Sequence, residues 1–188
     1  VDLEVIPVEG WNRSQLFDQT GLMWVNPSPN MRSLIQAVLY PGVGLIEMTN
    51  VSVGRGTDTP FELVGAPWID ARQFAAHLNR AGLAGVRFVP VQFVPTSSKH
   101  ANETCGGVNI IVTDRAQFHS LSTGIQLMCS LRDLYAAQWE TKNLNTLLGS
   151  KVTVDAIQSG LSEKAIEPLW AEELARFLNR RRKFLRYE

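Results

Sequence analysis

The chain carries no surplus of charge of either sign. Its 18 Lys and Arg residues balance 18 Asp and Glu residues, for a formal net charge of zero. Nucleic-acid binders carry a basic excess that neutralises phosphates, so nucleic acid is not an expected partner. Cysteine is scarce, with two in 188 residues. Cys105 lies in a glycine-rich stretch read as a turn, and Cys129 lies on an apolar helical stripe. They form neither a disulfide framework nor a metal-ligand spacing and read as free thiols, with a single disulfide between them as the alternative. No apolar run approaches the ~18 residues of a membrane span. The three histidines, His77, His100 and His119, join no metal or nucleophile arrangement and read as structural. Ser28 and Ser97 lack a nucleophile-elbow setting. Gly54-Arg55-Gly56 lacks the further glycine, or the Lys-Ser/Thr pair, of a phosphate cradle. The pattern calls for no cofactor and no metal.

What is present is ordinary globular composition, 45% hydrophobic and 19% charged. This length suits one domain, or one domain with a remnant of a neighbour, and buries roughly 70% of the unfolded surface without a staple. Residues 1–11, with Val5-Ile6-Pro7-Val8, read as the remnant strand of an upstream domain, and 12–188 as the domain proper. A chain that opens on Val1 is expected to follow an upstream region that would carry any export signal. Trp24-Val25-Asn26-Pro27-Ser28-Pro29-Asn30 cannot be helical, because each proline restricts itself and its predecessor. Ser33 to Leu39 reads as a short helix stopped by Tyr40-Pro41-Gly42. Val43 to Met48 reads as a strand, Phe61 to Val64 as another, and Asp70 as the N-cap of a helix to about Ala81. Val86 to Val94 and Val108 to Val112 read as strands, the latter central. Phe118 to Trp139 has the longest helical pattern, and short helices follow at Leu144 to Leu148 and Val154 to Gln158. Ser162 to Phe184 reads as a terminal helix with Leu169, Trp170, Leu174, Phe177 and Leu178 on its apolar face. The expected class is α/β: a mixed sheet with helices, and a helix-rich C-terminal half.

Chemistry is sought in the loop Glu47-Met48-Thr49-Asn50-Val51-Ser52-Val53-Gly54-Arg55-Gly56-Thr57. Loops held by rigid elements are where α/β proteins build sites. Arg55, between two glycines, can be lifted toward a cleft, where a guanidinium suits a carboxylate bidentately. Asn50, Ser52 and Thr57 offer the neutral donors and acceptors that read sugar hydroxyl and acetamido groups. The competing reading is an ordinary turn, with Arg55 paired internally to Glu47 or Asp58. Glu47 is a candidate acid, weighed against a role as structural anchor or substrate contact. Glycoside hydrolysis uses two carboxyls at a defined separation, and Asp58, Glu62 and Asp70 are its neighbours in sequence. Trp11, Trp24 and Trp68 could stack on sugar faces or simply pack.

These blocks together resemble the NamZ-type exo-β-N-acetylmuramidases, a family long catalogued as a domain of unknown function. The resemblance rests on Trp24 to Asn30, Tyr40-Pro41-Gly42, the loop from Glu47 to Thr57, and Phe61-Glu62-Leu63-Val64-Gly65-Ala66-Pro67-Trp68. It extends to Val86-Arg87-Phe88, Phe93-Val94-Pro95, Cys105-Gly106-Gly107-Val108 and Val112-Thr113-Asp114-Arg115. It implies a two-domain, periplasmic or extracellular hydrolase of peptidoglycan fragments, with this chain as its C-terminal part and its own N-terminal domain as partner. In that family N-acetylmuramic acid is released from non-reducing ends, and the catalytic glutamate is attributed to the N-terminal domain. The resemblance nominates Asn30, Glu47, Asn50, Ser52, Arg55 and Thr57 as substrate-facing, with Arg55 reading the lactyl carboxylate. Alone, the chain is expected to be inactive. The alternative is a non-catalytic carbohydrate-binding module.

Overall fold

The computed structural model describes residues 1–187. Residues 1–16 form no strand, and Val1, Leu3, Ile6 and Val8 are exposed. The expected strand at Val5 to Val8 is therefore not formed here, because no neighbouring strand stands beside it to complete the hydrogen bonds. The segment is tethered at one point: the Val8 amide donates to the Tyr187 hydroxyl at 2.8 Å, and Trp11 meets the Tyr187 ring edge-on.

The first long element, α1, spans Leu34–Val43, with Ser33 as N-cap accepting from the Gln36 amide. It runs straight through Pro41, where the sequence reading placed a stop. A proline inside a helix removes one amide and leaves carbonyls unpaired. Ser120 compensates: its hydroxyl accepts from the Gly42 amide at 2.8 Å and donates to the Leu39 carbonyl at 3.0 Å. Val43 to Met48 is correspondingly not a strand. The helix leads into a 3-10 turn at Gly44–Ile46, and Leu39, Val43 and Ile46 are fully buried. A short apolar run buried on all sides looks the same in sequence whether it coils or extends.

The sheet contains β1 (Leu63–Ala66), β2 (Val86–Phe93) and β3 (Cys105–Val112), in the order β1-β3-β2. Both pairings are antiparallel, with Leu63 opposite Asn109 and Val86 opposite Val112. Centrality of the third strand agrees with its apolar run, but the strand begins at Cys105, so that residue is not in a turn. Helix α2 (Ala71–Arg80) has the expected Asp70 cap, which accepts from the Gln73 amide at 2.9 Å. It buries Phe74, Ala75 and Leu78 in the main core.

The regular elements after the sheet are helices: α3 (Ser120–Tyr135), α4 (Asn145–Leu148), α5 (Lys151–Gln158), α6 (Glu163–Ile166) and α7 (Ala171–Arg181). The α3 helix is the hub, burying Ile125, Leu127, Met128, Cys129 and Leu131. It crosses α1 closely, since a Cβ on Gly124 would stand 2.4 Å from the Gly42 carbonyl oxygen. The single terminal helix read from Ser162 to Phe184 is broken. A 3-10 turn over Glu167–Trp170, with Pro168 near its start, separates α6 from α7. No residue of α7 is buried, and Leu174, Phe177 and Leu178 stay exposed.

Candidate functional site

Two loops, 47–62 and 94–104, meet beside the sheet. The first leaves the 3-10 turn after α1 and is stitched to β1 by a bridge between Ser52 and Gly65. The second joins β2 to β3. Thr96 donates to the Gly56 carbonyl through both its amide, at 2.9 Å, and its hydroxyl, at 2.8 Å. Gly56 has φ of +85°, and a Cβ there would lie 2.5 Å from the Ser97 amide nitrogen. Glycine is thus required at 56 on both counts.

The loops carry unusual backbone strain. Among the described residues, four that are not glycine have positive φ: Phe61, Ser98, His100 and Asn102. Such conformations cost on the order of 1–3 kcal/mol each and gather where surrounding structure over-determines them, often at binding sites. Three of these four residues lie in the 94–104 loop, with Ser98 and His100 on either side of Lys99, and Phe61 lies under Arg55.

Arg55 is paired within its own loop. Its Nε donates to Glu47 Oε1, and its guanidinium lies 5.1 Å from the Phe61 ring centroid. The hydrogen bond to Glu47 raises the Arg55 pKa against the opposing effect of burial. Of the two readings of Arg55, carboxylate reader or internal partner of Glu47 or Asp58, the geometry favours the pairing with Glu47: the loop folds the arginine back over Phe61 onto the carboxylate eight residues earlier. Glu47 in turn anchors this loop.

Open grooves flank the junction on two sides. One, of about 400 Å³, is lined by Glu47, Thr49, Asn50, Lys99, His100 and Glu140, among others. The other, of about 570 Å³, includes Asn30, Arg32, Thr57, Asp58, Thr96 and Ser97 in its walls. Arg32 reaches Asp58 at 3.3 Å, tying the proline-locked segment to the glycine-framed loop. The structure therefore brings Asn30 and Thr57 together in one groove, and Glu47 and Asn50 in the next. Arg55 lines neither. Ser52 is buried, with its hydroxyl accepting from the Gly54 amide at 3.2 Å, so it cannot face a ligand. The Asn50 side chain is also occupied, donating to the Gln138 carbonyl at 2.8 Å and accepting from the Glu140 amide at 2.9 Å. The Thr57 hydroxyl donates to the Gly54 carbonyl at 2.7 Å.

Sequence reasoning missed Lys99 and treated His100 as merely structural. Lys99 Nζ donates to the Glu47 backbone carbonyl, and His100 Nε2 lies 2.8 Å from the Asn50 carbonyl. Burial lowers the Lys99 pKa, with Glu47 opposing and Arg55 adding to the shift. The only hint in the sequence was a polar stretch, Ser97-Ser98-Lys99-His100, between two strands, which does not distinguish a site from an ordinary turn.

A larger opening of about 780 Å³ lies at the start of α2, lined by Asp70, Arg72, Gln92 and Thr104 among others, and by none of the six substrate-facing candidates. The three tryptophans proposed for stacking make internal contacts: Trp24 with Phe17, Trp68 with Tyr135 and Trp11 with Tyr187. Cys105 and Cys129 are free and buried. Among the described residues, no group of three or more His, Cys, Asp or Glu could hold a metal. No described helix is long and apolar enough to cross a membrane.

A small antiparallel sheet backed by helices, with polar grooves at clamped loops, defines a mixed α/β domain. The chain belongs to the exo-β-N-acetylmuramidase NamZ family: residues 38–187 match its C-terminal domain profile, and residues 1–35 match its N-terminal one. It is 40% identical over 189 aligned positions to the peptidoglycan β-N-acetylmuramidase NamZ of Bacillus subtilis strain 168, covering 99% of this chain and 46% of that protein. The chain thus spans about half the length of that relative. A crystal structure of a DUF1343 family protein from Bacteroides fragilis superposes with a TM-score of 0.77 at 25% identity, covering 95% of this chain and 49% of that one. A second DUF1343 protein from the same organism gives a TM-score of 0.63 at 25% identity, covering 87% and 44%.

Proposed function

We propose that this chain is the C-terminal, substrate-cleft part of a glycoside hydrolase that releases N-acetylmuramic acid from the non-reducing ends of peptidoglycan fragments. The carrying observation is the loop junction, where polar groups from 30–32, 47–57 and 96–100 line adjacent open grooves on a rigid base. Relatedness to a peptidoglycan β-N-acetylmuramidase supports the choice of substrate. In this reading Glu47, bonded to Arg55, positions the loop, and the main acid belongs to an N-terminal domain that forms the facing wall. The match of residues 1–35 to the family's N-terminal profile supports such a partner. Peptidoglycan lies outside the plasma membrane, so the reading also places the enzyme in the periplasm or outside the cell.

The test is hydrolysis of a chromogenic β-N-acetylmuramide. The full-length protein should turn it over, whereas the 188-residue chain alone should not. Binding of muropeptides by the full-length protein without turnover would instead mark a carbohydrate-binding module. Cell fractionation checks the location, and retention in the cytoplasm would refute that part.

A further inference from the structure

We infer that Lys99 is the specificity-determining cation of this groove, receiving a carboxylate carried by the sugar, which in N-acetylmuramic acid is the lactyl group. The inference rests on the hydrolase reading above and moves the carboxylate contact away from Arg55. Three basic side chains stand at the junction. Arg55 is clasped between Glu47 and the Phe61 ring and lines neither groove. Arg32 bonds the Pro29 carbonyl at 3.0 Å and meets Asp58 at 3.3 Å. Lys99 lines the Glu47 groove, and its hydrogen bond goes to a backbone carbonyl, which leaves its charge uncancelled by that partner.

The Glu47 carboxylate accepts from Arg55, so the nearest anion is already engaged. The other acidic neighbours are Glu140, on the rim of the same groove, and Glu103, which lies 3.6 Å from His100 Nδ1. An ammonium partly withdrawn from water attracts an arriving anion more strongly than a fully solvated one does. Burial is the dominant influence on this lysine and Arg55 adds to it, and the negative charge of an incoming carboxylate would oppose both. The backbone holds Lys99 in place from either side. Ser98 and His100 are both left-handed, His100 is bonded to the Asn50 carbonyl, and the Asn102 amide donates to the Pro95 carbonyl at 2.7 Å. These bonds fix where the lysine stem leaves the loop, which lowers the ordering cost of binding.

The test uses the full-length enzyme and two chromogenic β-muramides, one with a free lactyl carboxylate and one with that group as its primary amide. Wild type should prefer the acid. Lys99→Gln, which keeps a hydrogen-bond donor for the Glu47 carbonyl but removes the charge, should shrink the acid-to-amide ratio of kcat/KM about 10- to 100-fold, through KM. Lys99→Arg should retain most of the preference. A ratio unchanged in Lys99→Gln, or a wild type without preference, overturns the inference while leaving the hydrolase reading intact. A wild type that cleaves neither substrate overturns the hydrolase reading, and this inference with it. Thermal unfolding of each variant separates a folding defect from a binding one. Should Lys99→Gln fail to fold, Lys99→Met is read in the same way: a shrunken acid-to-amide ratio supports the inference and an unchanged ratio overturns it.

Discussion

At the residue scale, side chains in the clamped loops divide into those that build the groove and those that face it. Asn50 belongs to the builders, because both ends of its amide are bonded to the segment after α3. Asn50→Ala should lower stability by about 1–2 kcal/mol, read as a reduced denaturant midpoint with an unchanged slope. Arg55 is also a builder, through Glu47 and Phe61. Arg55→Ala should therefore weaken acid and amide muramides by the same factor, whereas loss of the Lys99 charge discriminates between them. A selective loss of the acid on Arg55→Ala would restore the arginine as the reader. Asn30, Glu47 and Thr57, nominated by the family resemblance, line grooves, and Ser52 is buried. Ser52 was illegible because burial depends on the bridge to Gly65, a contact between distant residues that local pattern does not encode.

At the element scale, hydrogen-bond partners supplied from a distance overrode local signals. Tyr40-Pro41-Gly42 is a sound stop signal, yet α1 continues because Ser120 satisfies the groups the proline disturbs. The Asp70 cap and the centre of β3 were legible because their causes, a capping side chain and a continuous apolar run, are local. The tight crossing of α1 and α3 gives a direct test. Gly124→Ala should destabilise by about 1–3 kcal/mol, since its Cβ would meet unyielding backbone at Gly42. A surface substitution on α7, such as Arg176→Ala, should cost a few tenths of a kcal/mol; equal midpoints for the two variants would contradict this account of the crossing.

At the scale of the whole molecule, the core runs from α1 through α3 to α6 with two thiols buried alongside it, Cys129 in the main cluster and Cys105 in a smaller one. Burial pushes both thiols up to about 11. An unfolded thiol titrates near ~8.5, so the folded state holds its protons to higher pH than the unfolded one. Stability is therefore fully present below the unfolded value and falls as pH rises toward about 11. Denaturation across that window should show the decline, and Cys105→Ala with Cys129→Ala should flatten it. Both thiols should also resist a thiol reagent until the protein unfolds.

The sequence by itself determined the α/β class, the caps and central strand, the absence of charge surplus, and the blocks that mark the family. Each of these follows from neighbours along the chain or from composition. Only the tertiary structure decided that a proline-bearing apolar run would coil, that Arg55 would turn inward onto Glu47, and that Lys99 would stand at the groove. The first and last depend on partners from tens of residues away, Ser120 for Gly42 and Glu47 for Lys99, whose approach is set by packing the helices on the sheet, and the second on a loop that doubles back over Phe61.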